Sequence, residues 1–249
     1  MYRARGCYGI SHHTNPAKRP LRSRYKLLSF DGDMTLWDFE AGMRAALHNT
    51  RTLLIERRPH MATSLADIEP MIAVRDRILA EPSAADLSFA EIRRRAFHTL
   101  LAEHDQPDDA LANELYAAYL QHRFNATALY ADAAPLFASL DPTLRLALLS
   151  NGNTHPEHLG IADRFDVIAF AGDDYRAKPA PDLFAQALGH TDCRAADMIH
   201  VGDALETDVA GANAIGATSV WLNRDHRPNE TAIVPDYTIS TLTELDTLL

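Results

Sequence analysis

Short apolar runs alternate with helical spacing after Asp132, at 144–149, Val167–Phe170, 198–201 and 219–222, and this restricts the fold more than any other feature. Strands that return through helices predict a parallel sheet with right-handed crossovers. A run of the same texture, 25–30, stands apart, separated from the others by roughly ninety residues of helical character. There the apolar positions fall at Leu47, Leu53 and Leu54; at Met71, Val74 and Ile78; at Ile92, Phe97, Leu100 and Leu101; and at Leu111, Leu115, Tyr119 and Leu120. Breaks at Pro59, Glu69-Pro70, Glu81-Pro82 and Gln106-Pro107-Asp108 divide the segment into four or five helices and leave no strand. A lone strand cannot bury its own faces, so the first run must join the later ones. The expectation is an α/β fold: a Rossmann-like, doubly wound parallel sheet built from 25–38 and 131–249, with an all-helical segment inserted at 39–130.

Composition excludes several alternatives. The 249 residues are 47% hydrophobic, enough for a proper core, and no apolar run approaches the ~20 residues that span a bilayer. Lys and Arg total 24 against 34 acids; without the six tail cations Arg3, Arg5, Lys18, Arg19, Arg22 and Arg24, 18 remain against the same 34. That balance argues against nucleic acid as the main partner, as the lack of a spanning apolar run does against a membrane. The basic segment 1–24 lacks apolar periodicity and the continuous apolar stretch of a secretory signal, and is expected to be a flexible arm. Cys7 and Cys193 give neither a disulfide framework nor metal spacing, which fits a reducing cytoplasm.

The polar residues that end the apolar runs carry the chemistry. Asp31-Gly32-Asp33-Met34-Thr35 follows the first run, placing two carboxylates and a hydroxyl where open α/β sheets bind ligands. Alternation sends Asp31 and Asp33 to one side, with Gly32 leaving room for a close neighbour. Two such acids repel, so either a cation lies between them or one keeps its proton. An Asp-rich turn would use the same residue types. Ser150-Asn151-Gly152-Asn153 ends the second run and offers a hydroxyl and free backbone N–H groups to an anion, or makes an ordinary Asn-Gly turn. Lys178-Pro179 precedes an amphipathic segment, so a lysine falls at a helix start, where a bound anion would relieve its repulsion from the helix dipole; taken alone it reads as a solvated surface lysine. Gly202-Asp203 ends a further run, and Asp208 lies near the start of an Ala/Gly-rich helix that it could simply cap. His200 is expected to be a buried strand residue with no nucleophilic Ser or Cys beside it. Together, a hard-ligand cluster (Asp31, Asp33, Asp203) faces an anion-binding set (Ser150, Asn151, Lys178). Oxygen-only ligands favour Mg²⁺ over Zn²⁺, and Mg²⁺ with a cation nearby suits phosphate.

In order and spacing, Asp31-x-Asp33-x-Thr35, Ser150-Asn151-Gly152, Lys178-Pro179 and Gly202-Asp203-x-x-x-x-Asp208 resemble the four motifs of the haloacid dehalogenase-like hydrolase superfamily. The resemblance is to its phosphatases with a helical cap inserted after the first motif. It covers all but the tail, and the stretch from Ser150 to Glu157 also looks like the branch of flavin-pathway and nucleotide phosphatases. It implies that Asp31 attacks phosphorus, that Asp33 acts as general acid and then base, and that Mg²⁺ is held by Asp31, the Asp33 backbone carbonyl and Asp203. It further implies that Thr35, Ser150, the Asn151 amide and Lys178 hold the phosphate oxygens, with Asp208 orienting Lys178 or a metal-bound water. Trp37 and Asp38 would sit at the exit toward the cap, in hinge, substrate or packing roles. The cap arginines Arg44, Arg51, Arg57, Arg75 and Arg93 to Arg95 could meet an anionic substrate, although most are expected to be solvated. The partner implied is a small phosphorylated metabolite: a nucleotide, a flavin-pathway intermediate or a sugar phosphate. A phosphomutase or dehalogenase of the same superfamily, or a non-catalytic Mg²⁺- or nucleotide-binding module, are the competing readings.

Overall fold

The computed structural model describes residues 25–172 and 174–249; the arm at 1–24, with Cys7, lies outside them. Six strands, β1 (Leu27–Phe30), β2 (Arg145–Ser150), β3 (Val167–Phe170), β4 (Met198–Gly202), β5 (Thr218–Leu222) and β6 (Tyr237–Ile239), form one sheet in the order β3-β2-β1-β4-β5-β6. Every pairing is parallel. Each apolar run of the sequence becomes a strand. β6 was not legible because its three residues, Tyr-Thr-Ile, are too few to show a period.

Both faces of the sheet are covered, which is why the central strands are apolar throughout rather than alternating. Leu28 and Phe30 pack with α5 (Ala133–Ser139) and α8 (Leu245–Leu248) on one side. Leu27, Ala147 and Leu149 pack with α6 (Asp182–Thr191) and α7 (Ala210–Ile215) on the other.

Between β1 and β2 the chain forms α1 (Phe39–Arg57), α2 (Glu69–Leu79), α3 (Phe89–His104) and α4 (Asp109–Ala126), whose apolar residues from Met43 to Tyr119 make a separate core. The proline positions have distinct uses. Pro59 and Pro82 each open a 3-10 turn, Pro70 sits in the first turn of α2, and Pro107 precedes the cap residue of α4. Asp38 caps α1 by accepting from Ala41 N–H at 2.8 Å, so its role is to start the helix. The outgoing and returning connections are stitched together: Trp37 bridges Leu129, Asp38 N–H donates to Ala128 C=O, and Tyr130 N–H donates to Leu36 C=O.

Candidate active site

Asp31 and Asp203 follow the carboxyl ends of β1 and β4, and Ser150 is the last residue of β2. In the strand order β1 lies between β2 and β4, so these ends flank the point where the connections reverse and a crevice opens. Asp31 is anchored there by its N–H, which donates to Val201 C=O at 2.9 Å.

The two acids of the first motif turn to different partners. Asp31 Oδ1 accepts from Lys178 Nζ at 2.7 Å, and the same Nζ lies 2.7 Å from Asp208 Oδ1. Asp33 Oδ1 accepts from the indole Nε1 of the buried Trp37 at 2.6 Å. Gly32 is required between them, because a Cβ there would collide with the Trp37 ring. A Cβ at Gly152 would likewise meet Asp33 Oδ2, so that glycine leaves space for the second oxygen of the acid.

Lys178 is not at a helix start: α6 begins at Asp182, and the lysine charge is balanced by two carboxylates rather than by the expected anion. Asp208 does not cap α7 with its side chain. One oxygen accepts from Ala204 N–H at 3.1 Å and the other meets Lys178. His200 is buried in β4 as expected, but it is not without a serine: its Nδ1 lies 2.8 Å from Ser29 Oγ and its Nε2 3.4 Å from Asp208 Oδ1. Ser29 is wholly inside the sheet, so this contact fixes the imidazole and opens no nucleophile to substrate.

Three carboxylates, Asp31, Asp203 and Asp208, bring ligand oxygens within 4.8 Å of one another. The Asp33 side chain is turned away toward Trp37. Burial pushes Asp31 well above the usual carboxylate range, outweighing Lys178, and the charges of Asp208 and Asp203 add to the rise. Asp203 is pushed up to about 6, again by burial and then by Asp208. Burial also works to raise Asp208, but Lys178 and His200 hold it below the ordinary range. Three acids against one lysine leave an excess of negative charge that a hard divalent cation would balance, so the donor set fits Mg²⁺.

Around this cluster are groups suited to an anion. Thr35 Oγ1 is buried without a hydrogen-bond partner. Ser150 Oγ accepts from Gly152 N–H at 3.0 Å, which leaves its own proton to donate. Asn151 ties its side chain to the Lys178 backbone, accepting at 2.7 Å and donating at 2.9 Å, and its backbone N–H stays available to a ligand. Asp33 is raised by burial, against the pull of Trp37 and of Arg123 and Arg93.

Trp37 as partner of Asp33, and Arg123 with Asn153, were not found by motif. Arg123 had a signal: it continues the buried stripe Leu111, Leu115, Tyr119 of α4, where a charge is out of place. Of the seven arginines expected to face substrate or solvent, Arg93 is buried and lines the cavity with Asp31 and Asp33, whereas Arg44, Arg57, Arg75 and Arg95 sit in exposed ion pairs.

Residues 25–216 match the family described as haloacid dehalogenase-like hydrolase. The chain is 32% identical to N-acylneuraminate-9-phosphatase of Mus musculus over 146 residues, 56% of this chain and 59% of that protein. It thus matches little more than half the length of that curated relative. A 2-haloacid dehalogenase from Pseudomonas syringae superposes with a TM-score of 0.73 at 29% identity, covering 89% of this chain and 96% of the other. The magnesium-bound HAD-hydrolase YfnB of Bacillus subtilis superposes at 0.68 and 25% identity, covering 89% and 97%.

Proposed function

The chain belongs to the haloacid dehalogenase-like hydrolases, and from that premise we propose that it is a phosphatase that hydrolyses small phosphomonoesters through a phosphoryl-Asp31 intermediate. The observation that carries this reading is the unlike setting of two acids two residues apart: Asp31 against Lys178 and the acidic cluster, Asp33 on Trp37 with its carboxyl raised by burial.

Asp31 attacks phosphorus, and the leaving oxygen takes a proton from Asp33. The indole N–H occupies Asp33 Oδ1, so the transferable proton resides on Oδ2, the oxygen beside Gly152. Once deprotonated, Asp33 accepts a proton from the water that cleaves the intermediate. Lys178, Ser150, Thr35 and the Asn151 N–H steady the phosphoryl oxygens as charge shifts. Asp208 holds Lys178 in place, and His200 and Ser29 hold Asp208. Mg²⁺, held by Asp31, Asp203 and the Asp33 carbonyl, would supply positive charge that lets an ionised Asp31 approach an anionic phosphate.

A dehalogenase attacks carbon and has no need for an acid at Asp33, which favours phosphoryl transfer over that activity. The test is inorganic phosphate release with Mg²⁺ from flavin mononucleotide, pyrimidine and purine monophosphates, phosphoglycolate and sugar phosphates. At least one should be turned over. Halide release from haloacids with no phosphate release from any ester would overturn the proposal, and turnover dependent on a bisphosphate activator would identify a mutase.

A further inference from the structure

Two arginines of the helical insertion are buried where the insertion meets the sheet. Arg93 of α3 is 9% exposed and Arg123 of α4 is 0% exposed. Both donate to one neutral acceptor, Asn153 Oδ1, from Arg93 Nη1 at 3.1 Å and Arg123 Nη2 at 2.7 Å. Neither forms an ion pair among the described residues, and Arg123 Nε and Nη1 are buried with no acceptor. Aromatic rings surround them: Phe39 lies 5.6 Å from both guanidinium carbons, Phe89 5.7 Å from that of Arg93 and Phe124 4.7 Å from that of Arg123.

Ring faces offset part of the desolvation of a guanidinium. An uncompensated buried charge is strongly unfavourable, and here two lie together. The nearest acid, Asp33, attracts both arginines but is hydrogen-bonded to Trp37 rather than to either of them. Arg93, Phe39 and Phe89 nevertheless line the same cavity, of about 240 Å³, as Asp31, Asp33 and Ser150. A second anion on the bound substrate would receive the planar donor fork of Arg93 and neutralise the pair.

We propose that Arg93 binds a second anionic oxygen group of the substrate, a carboxylate or a second phosphoryl, with Arg123 behind it as a positioning residue acting through Asn153. This rests on the phosphatase reading for the identity of the first group, and it restricts the substrates to phosphomonoesters that carry another negative charge.

Calorimetry with Mg²⁺ present tests it through non-hydrolysable probes: 3-phosphonopropionate and propane-1,3-diphosphonate against propylphosphonate. At least one doubly anionic probe should bind about tenfold or more tighter than propylphosphonate. That ratio should fall toward one in Arg93→Gln and be partly kept in Arg93→Lys. A carboxylate preference and a phosphoryl preference identify which group is taken. Equal binding of all three probes to the wild-type protein, or a preference that survives Arg93→Gln, overturns the proposal. Should Arg93→Gln fail to fold, the wild-type ratio and Arg93→Lys decide. Phosphate release from 3-phosphoglycerate and glycerol 3-phosphate separates the two readings. No release from these two or from any ester of the wider panel rejects the phosphatase while the binding ratio still judges the anion site, and release from both at equal kcat/KM rejects the anion site alone.

Discussion

Asp31 and Asp33 are the same residue type two positions apart, and their neighbours give them different work. The cation beside Asp31 comes from a loop well over a hundred residues away, and the indole on Asp33 from the turn that follows it. Asp31→Asn keeps the shape and the hydrogen bond from Lys178 but removes the proposed nucleophile, so phosphate release should fall by several orders of magnitude with an unchanged circular dichroism spectrum. Turnover near wild type would sink Asp31 as the attacking group. Asp203 gives a pH dependence. Its carboxyl is pushed up to about 6, so without metal it is protonated below that pH and must lose the proton to take a cation. Mg²⁺ affinity should therefore fall as pH drops through about 6, and Asp31, also raised by burial, steepens the fall. Calorimetric titration from pH 5 to 7.5 checks this, and an affinity flat across the range would contradict it.

Among the elements, the inserted helices are specified locally and aimed by contacts at their ends. Asp38 begins α1, Ser88 and Glu91 form a reciprocal capping box on α3, and Asp108 caps α4. Asp38→Ala should cost about 1 kcal/mol in denaturant unfolding, whereas Asp38→Asn, an equally good cap, should cost little. Equal losses in both would mean that the charge of Asp38, rather than its capping oxygen, matters. The same helices show the limit of periodicity. Arg93 and Arg123 occupy core-facing positions of α3 and α4, and spacing alone gives no way to know that Arg93 lines the cavity with Asp31 and Asp33.

At the scale of the molecule, Arg224 ties the returning connection to the sheet side. It pairs with Asp132 at 2.8 and 3.0 Å, donates to Thr35 C=O at 2.9 Å, and stacks 3.9 Å from the Tyr130 ring. Asp132 also accepts from Leu242 N–H at 2.8 Å. Burial works to raise Asp132, but Arg224 and that N–H hold it below its ordinary value. A depressed carboxyl stabilises the fold above its unfolded pKa of 3.8 and loses that contribution as pH falls through the lower folded value. Asp132→Asn should consequently lower the melting temperature at pH 7 and narrow its gap from wild type below about pH 4. A gap that stays constant across this window would show that the pair contributes nothing through charge.

The sequence by itself determined five of the six strands, the parallel α/β architecture, the helical insertion and the acids and hydroxyl at the strand ends, because apolar period and strand-terminal position are local properties. It also determined the family. Only the tertiary structure decided that Lys178 lies between Asp31 and Asp208, that Trp37 engages Asp33, and that Arg93 and Arg123 converge on Asn153. Those pairings join residues from different elements, and β6 and α5 were settled with them, since segments that short take their form from the neighbours they pack against.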